Sequence, residues 1–113
     1  MHEMTIANQI IKLATRHARE ASAGSVSQVE LDIGRLSGIE LESLRFALSV
    51  ATRETMLEGA EFRINTIDPV FECQSCQMPY TPETSLGVCP NCGENRSVLI
   101  KGDELQIKSL LIE

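Results

Sequence analysis

The sequence predicts an α/β domain with two helices and a roughly three-stranded mixed sheet, interrupted by a cysteine-rich insertion. Two segments have the apolar periodicity of amphipathic helices, three alternate as half-buried strands do, and four cysteines fall in a stretch without periodicity. We therefore expect residues 1–69 and 97–113 to form the α/β domain and residues 70–96 to form the insertion. The 113-residue chain is 42% hydrophobic with three Phe, one Tyr and no Trp, so its core should be mainly aliphatic.

The first helix is expected over residues 5–21. Its apolar residues fall on one stripe, while most charged residues lie elsewhere. Thr5 is a suitable N-cap and Gly24 follows the predicted end. His2 and Glu3 would then lie in an accessible segment before the helix. The predicted buried stripe consists of Ile6, Ile10, Leu13, Ala14 and Ala18.

A strand, a helix and a strand follow in order. Residues 29–33 alternate between apolar and polar side chains, which predicts a half-buried strand. A second helix is expected over residues 40–56, with Gly59 just past its end. Residues 61–65 alternate again and predict the second strand. This order suggests a βαβ unit, although the sequence leaves the strand directions open.

The hydrophobic periodicity stops at Asp68 and Pro69 and is absent as far as about Arg96, where Cys, Pro, Gly and Asn are frequent. Residues 98–100 and 105–110 then predict two strands around a turn at residues 102–103. The last of these strands could rejoin the first sheet.

Composition excludes several classes of protein. The net charge of −6 and the pI of about 4.9 argue against broad phosphate binding, which needs clustered Lys and Arg. We find no apolar run of membrane-spanning length and no leader peptide, so we expect a cytoplasmic protein. Thiols stay reduced there, which favours metal ligation over disulfides for Cys-x-x-Cys pairs.

The four cysteines have the spacing of a zinc ribbon. Cys73 and Cys76 form one Cys-x-x-Cys pair, and Cys89 and Cys92 form the other. Two such turns complete the tetrahedral shell of Zn(II) and leave no open position, which predicts a structural site. The second turn continues with a glycine that can adopt a positive φ, whereas Gln77 stands at the matching position of the first.

Two other functions are compatible with cysteine pairs. A redox dithiol normally lies at a helix start in a βαβ pattern, which this stretch lacks. A zinc-ribbon module could instead bind nucleic acid or the transcription machinery. Between Glu72 and Arg96, however, Arg96 is the only basic residue and Tyr80 the only aromatic one. No phosphate loop, paired-carboxylate motif or Ser/His/Asp set indicates an enzyme.

The N-terminus carries a second candidate metal site. Ni(II) favours nitrogen donors in square-planar or tetragonal arrangements. The Met1 amine, the amides of His2 and Glu3 and the His2 imidazole offer four nitrogens in one short segment, with Cu(II) as the chemical competitor. Taken alone, the pattern also fits a solvated terminal histidine. His17 is interpreted as a half-buried packing residue rather than a ligand.

These features occur together in one known family. The chain resembles, over essentially its full length, the hydrogenase maturation nickel metallochaperones of the HypA/HybF family. The Met-His-Glu start together with two cysteine pairs is specific for this family, whereas either feature alone is not. The matching segments are Met-His-Glu-Met-Thr at 1–5, Leu-Asp-Ile-Gly-Arg-Leu-Ser at 31–37, both cysteine pairs and Leu-Gln-Ile-Lys-Ser at 105–109.

The resemblance implies roles for individual residues. His2 would be the nickel ligand, supported by the Met1 amine and the amides of His2 and Glu3. The Glu3 side chain would orient the site or govern transfer. Glu40 would approach nickel, or else place a favourable charge at a helix start. The structural zinc ligands would be Cys73, Cys76, Cys89 and Cys92.

The resemblance also implies partners. Ni(II) would be the transferred ion and Zn(II) the structural one, in a protein that binds and delivers rather than catalyses. The partners would be a nickel-binding maturation GTPase and the large subunit of [NiFe]-hydrogenase, and some relatives also serve urease. We expect a monomer or homodimer that binds neither nucleic acid nor membranes.

Overall fold

The computed structural model describes residues 2–82 and 88–113. Over these residues the chain forms two helices and six strands. In chain order they are α1 (Glu3–Glu20), β1 (Val26–Gly34), α2 (Leu41–Ala51), β2 (Glu61–Ile67), β3 (Val70–Cys73), β4 (Pro79–Tyr80), β5 (Ser97–Lys101) and β6 (Leu105–Ile112).

The first sheet has the order β2-β1-β6. β1 and β2 run parallel, with Val29 opposite Phe62. β1 and β6 run antiparallel, with Val29 opposite Leu110. The sheet is therefore mixed and three-stranded, as predicted, and α2 is the crossover of a βαβ unit. The last strand does rejoin the first sheet.

The main core lies between this sheet and the two helices. Alternate residues of β1, namely Val29, Leu31 and Ile33, are almost completely buried, and α1 packs against α2, β1 and β6. Burial of each such side chain contributes about 1.5–3 kcal/mol. The cluster is aliphatic, as the composition predicts; its buried residues are Ile6, Ala7, Ile10, Ile11, Ala14, Ala18, Val26, Val29, Leu31, Ile33, Leu44, Ala47, Leu48 and Leu57.

Helix α1 begins earlier than the sequence predicted. Its N-cap is His2, which makes no side-chain capping hydrogen bond, and the Ile6 N–H donates to the His2 carbonyl at 3.2 Å. The prediction of Thr5 as N-cap was therefore wrong, because Thr5 lies inside the first turn. Glu3 is the first helical residue rather than part of a separate lead-in, and its charge suits the positive end of the helix.

The buried side of α1 is rotated from the predicted stripe. Alanines at three positions are fully buried, which lets the helix approach its neighbours closely. Leu13, predicted as buried, is 37% exposed. The His17 side chain is 52% exposed and lies 3.9 Å from the Glu20 carboxylate, so the half-buried interpretation of His17 was wrong.

Helix α2 ends at Ala51, five residues before the predicted end. Thr52 donates its hydroxyl to the Leu48 carbonyl at 2.8 Å, and Glu54 has a positive φ of 61°. A non-glycine residue in the left-handed region stops the helix. Residues 52–59 form successive turns instead, and Leu57 from these turns is fully buried in the core.

A second sheet, with the order β4-β3-β5, is antiparallel throughout. Phe71 of β3 lies opposite Tyr80 of β4 and Leu99 of β5. Residues 97–101 therefore hydrogen-bond to the cysteine-rich segment, although the sequence assigned them to the α/β domain. The division into domains otherwise stays a prediction.

The molecule is elongated. Its radius of gyration is 17.6 Å and its extents are 54 × 26 × 17 Å, whereas a compact chain of this length has a radius of gyration of about 13 Å. The two sheets join where the Leu36 N–H donates to the Gly102 carbonyl at 2.7 Å. A Cβ at Gly34 would lie 2.0 Å from that carbonyl oxygen, so only glycine fits this junction. Within the described residues, neither helix is long and apolar enough to cross a membrane.

Candidate metal centres

The two Cys-x-x-Cys segments fold into matching turns. The Gln77 N–H donates to the Cys73 carbonyl at 2.8 Å, and the Gly93 N–H donates to the Cys89 carbonyl at 2.9 Å. The fifth residue of each turn has a positive φ, 62° at Gln77 and 79° at Gly93. The conformation expected for Gly93 is therefore present, and Gln77 adopts it without being glycine.

The turns bring the four sulfurs together. The ligand atoms of the four cysteines all lie within 4.8 Å of one another. The Sγ atoms of Cys73 and Cys92 are 3.5 Å apart, and those of Cys76 and Cys89 are 3.7 Å apart. A tetrahedron with Zn–S bonds of about 2.3 Å has S···S edges of about 3.8 Å. The geometry thus fits a four-thiolate zinc site.

A small apolar cluster covers one side of the sulfurs. Cys73 and Cys89, the first cysteines of the two pairs, are buried together with Tyr80, and Phe71 packs against them. The Phe71 and Tyr80 rings stack with centroids 6.1 Å apart, and the Tyr80 hydroxyl is 2.7 Å from the Ser97 hydroxyl. From the sequence, Tyr80 had been weighed only as a weak nucleic-acid contact. The signal for this packing role was that two aromatic residues, Phe71 and Tyr80, flank the first cysteine pair.

The sulfurs differ in their ionisation. The Asn91 side chain and the Met78 N–H lower the pKa of the Cys76 thiol to about 6. The Cys76 N–H lowers the pKa of Cys73. The Glu94 N–H favours the Cys92 thiolate, but the Cys73 sulfur, burial and the sulfurs of Cys76 and Cys89 outweigh it and raise the pKa of Cys92 to about 12. Because the sulfurs repel one another once charged, four thiolates need a bound cation.

The N-terminal residues lie at the start of α1. Met1 is outside the described residues, so its amine is not placed. His2 is exposed. Helical hydrogen bonding starts with the Ile6 N–H, and the first N–H groups of a helix have no acceptor within it. The amides of His2 and Glu3 are therefore not used by the helix.

Glu3 and Glu40 meet where the two helices begin. The Glu40 N–H donates to Oε2 of Glu3 at 3.1 Å. Oε2 of Glu40 in turn accepts the Ser43 N–H at 2.6 Å, and this bond lowers the pKa of the Glu40 carboxyl. Glu40 is thus the N-cap of α2. Among residues 2–82 and 88–113, the cysteine quartet is the one group of three or more His, Cys, Asp or Glu side chains placed to share a metal ion.

Comparison with known proteins identifies the family. A family described as "Hydrogenase/urease nickel incorporation, metallochaperone, hypA" matches residues 1–112.

The chain belongs to the HypA family.

Curated relatives support this over the full length. The hydrogenase maturation factor HypA of Chlorobium limicola (strain DSM 245 / NBRC 103803 / 6330) is 42% identical over all of this chain and 97% of its own length. HypA of Chlorobium phaeobacteroides (strain BS1) is 39% identical over the whole of both chains. The solution structure of the Ni metallochaperone HypA from Helicobacter pylori shares the fold, with a TM-score of 0.72, 24% identity and coverage of 99% of this chain and 97% of that one.

Family membership confirms the resemblance drawn from the sequence. The family's function is nickel incorporation by a metallochaperone, which is binding and delivery rather than catalysis. It therefore favours the metallochaperone interpretation over a nucleic-acid module or a redox dithiol. The clustered cysteines add a metal-binding site, and its donor set suggests zinc.

Proposed function

We propose that this chain binds Ni(II) at its N-terminus and delivers it during maturation of [NiFe]-hydrogenase, while Cys73, Cys76, Cys89 and Cys92 hold a structural Zn(II) ion. The nickel ligands are the Met1 amine, the amide nitrogens of His2 and Glu3, and the His2 imidazole. The supporting observation is that α1 begins at Glu3, and that its N-cap, His2, is exposed and makes no side-chain capping hydrogen bond. The amides required for chelation are therefore not engaged in the hydrogen bonds of the helix.

The charge of the proposed complex suits its position. The N-terminus of a helix carries a partial positive charge, which disfavours a bare cation and favours anions. Two deprotonated amides neutralise Ni(II), so the complex of amine, two amidates and imidazole has no net charge. The amidates lie at the helix end that stabilises negative charge. The site therefore needs no carboxylate ligand to balance the ion.

Glu3 and Glu40 are proposed to support this site. The bond from the Glu40 N–H to the Glu3 carboxylate holds Glu3, which supplies one of the chelating amides, against the start of α2. One oxygen of Glu40 accepts the Ser43 N–H. If Glu40 approaches nickel, it does so with its other carboxylate oxygen, Oε1. Glu40 can therefore cap α2 and contact nickel at the same time.

The zinc site keeps the two ions separate. Thiolates also bind nickel, and four occupied thiolates leave no position open for it. Nickel is then held by an exposed chain end from which it is released. The receiving proteins are a nickel-binding maturation GTPase and the hydrogenase large subunit, or urease, in the cytoplasm. The protein would act as a monomer or homodimer, without binding nucleic acid.

The test is nickel titration by calorimetry on untagged protein. His2→Ala should weaken nickel binding by more than tenfold, because it removes the imidazole that anchors the chelate. The matched control is His17→Ala, since His17 is the other exposed histidine; it should bind nickel as the wild type does. A few residues added before Met1 should also weaken binding by removing the amine. Unchanged nickel affinity in the His2 variant would reject the assignment.

A further inference from the structure

Three basic residues form a stripe on the solvent face of α1: Lys12, Arg16 and Arg19. At 100° per residue they fall within an arc of about 60°, and they span about 10 Å along the axis. All three side chains are exposed, on the side of the helix opposite its buried residues. The basic stripe therefore presents a concentrated positive charge on a protein whose net charge is −6.

The basic stripe has no acidic partner within the described residues. None of its three members is in an ion pair with residues 2–82 or 88–113. Besides Glu3, the acidic residue of α1 is Glu20, which lies 3.9 Å from His17. Three other exposed cations form pairs: Arg35 with Asp68, Arg63 with Glu61 and Lys108 with Glu30. Exposed cations that lack an ion pair within the described residues also occur elsewhere, but not together on one helix face: Arg53, Arg96 and Lys101.

Helix stability does not explain the stripe. Like charges at i,i+4 and i,i+3, as in Lys12–Arg16 and Arg16–Arg19, destabilise a helix. The macrodipole favours cations only in the last turn, which accounts for Arg19 alone. Leu13, 37% exposed, lies beside the stripe and offers apolar area that a bound partner would bury.

We propose that the basic stripe is the docking surface for an acidic face of the maturation GTPase that receives nickel. This rests on the proposed function, since α1 begins at the nickel site and Lys12 lies about 14 Å along the axis from Glu3. A partner lying along α1 would reach the nickel-binding terminus. Complementary charge would also steer the partner in that orientation, because the residues outside the stripe, 16 acidic against 7 basic, carry a net negative charge that repels an acidic face.

An acidic protein suits the stripe better than a phosphate polymer. Three cations on an acidic protein can make only a few phosphate contacts, whereas nucleic-acid binding needs many. Carboxylates spaced i, i+4 and i+7 on a partner helix match the spacing of the stripe itself. Leu13 would then contact the apolar edge of the same partner helix.

The experiment measures binding of the purified maturation GTPase by calorimetry. Lys12→Glu, Arg16→Glu and Arg19→Glu together should weaken binding at least tenfold, and the corresponding Gln triple should weaken it less. The control triple, Arg53→Glu, Arg96→Glu and Lys101→Glu, makes the same change in net charge at exposed cations that have no ion pair within the described residues. It should bind nearly as the wild type does. Wild-type affinity should also fall with added salt.

Nickel and zinc content, measured on every variant, separates this proposal from the proposed function. Intact nickel binding with lost GTPase binding in the stripe variants supports the docking surface. Absence of a wild-type complex, or equal losses in both triples, would overturn it even if nickel binding is normal. Stripe-dependent binding to a short DNA duplex or to phosphatidylserine vesicles, with unaltered GTPase affinity, would assign the stripe to phosphates and also overturn it.

Discussion

At the scale of single residues, Gln77 and Gly93 occupy equivalent positions in the two cysteine turns and share a left-handed backbone. A Cβ at Gly93 would meet nothing within 4 Å, so only the backbone conformation opposes a side chain there. The sequence indicated this conformation for Gly93 because glycine adopts it freely. It did not indicate this conformation for Gln77, where the folded turn imposes a positive φ that glutamine disfavours.

This difference predicts unequal effects of one substitution. Gly93→Ala should lower the free energy of unfolding of the zinc-bound protein by about 1 kcal/mol, because alanine is disfavoured at positive φ. Gln77→Ala should be nearly neutral, since glutamine already bears the same cost. Urea denaturation of both variants at equal zinc content measures the difference. Equal losses of unfolding free energy in the two variants would contradict the explanation by backbone conformation.

Glu40 predicts a dependence of stability on pH. Its folded pKa lies below the ordinary value of 4.5, because its carboxylate accepts the Ser43 N–H. A lowered carboxyl pKa stabilises the fold above about pH 4.5, and that contribution is lost as the pH falls through the folded value. Glu40→Gln should therefore be less stable than the wild type at pH 7, by a margin that shrinks at pH 3.

Urea unfolding of both proteins at the two pH values, followed by far-ultraviolet circular dichroism, tests the role of Glu40. Loss of zinc in acid affects both proteins alike and cancels in the comparison. A deficit of the Gln variant that persists unchanged at pH 3 would contradict the role of charge in this cap.

At the scale of elements, the two sheets depend on different interactions. The first has a large aliphatic core between β1 and the helices. Among residues 2–82 and 88–113, the second has a buried cluster of Cys73, Tyr80 and Cys89, with Phe71 packed against it. So small a cluster does not supply the burial that a stable domain needs, and a bound metal ion is the usual supplement.

Metal removal should therefore unfold the second sheet selectively. Chelation, or Cys76→Ala, should remove zinc and abolish hydrogen-exchange protection of the β3 and β5 amides, while β1 remains protected. The opposite control is Leu57→Ala, which should destabilise the first core by about 2–5 kcal/mol without releasing zinc. Retained protection in β3 after complete loss of zinc would contradict the dependence on metal.

The elements could be predicted where periodicity was strong. Alternation along β1 and β2 and the apolar stripe of α1 identified the βαβ unit. The end of α2 was missed because no glycine or proline follows Ala51 before Gly59, and hydroxyl bonds such as that of Thr52 leave no mark on the pattern. The start of α1 was missed because Thr5 is a better cap by residue type than His2.

At the scale of the whole molecule, the sequence predicted the cysteine site better than the arrangement around it. Spacing alone identified the four cysteines that the fold clusters. The pairing of β5 with β3 depends on long-range contacts that no local pattern encodes. The junction at Gly34 and Gly102 was also invisible, since a glycine required for close approach resembles any loop glycine in sequence.

The elongated shape separates the two proposed metal functions. The exposed start of α1 belongs to the first sheet and its core, whereas the sulfurs belong to the second. Under the proposed function, each ion would have its own donor chemistry on its own structural unit, and nickel would leave without disturbing the zinc-bound fold.

X-ray absorption at the nickel and zinc edges of untagged protein loaded with both ions tests this separation most directly. Nickel should be surrounded by nitrogen donors that include an imidazole, and zinc by four sulfurs at about 2.3 Å. Nickel bound by sulfur, with the His2 imidazole uncoordinated, would contradict the assignment of nickel to the chain terminus.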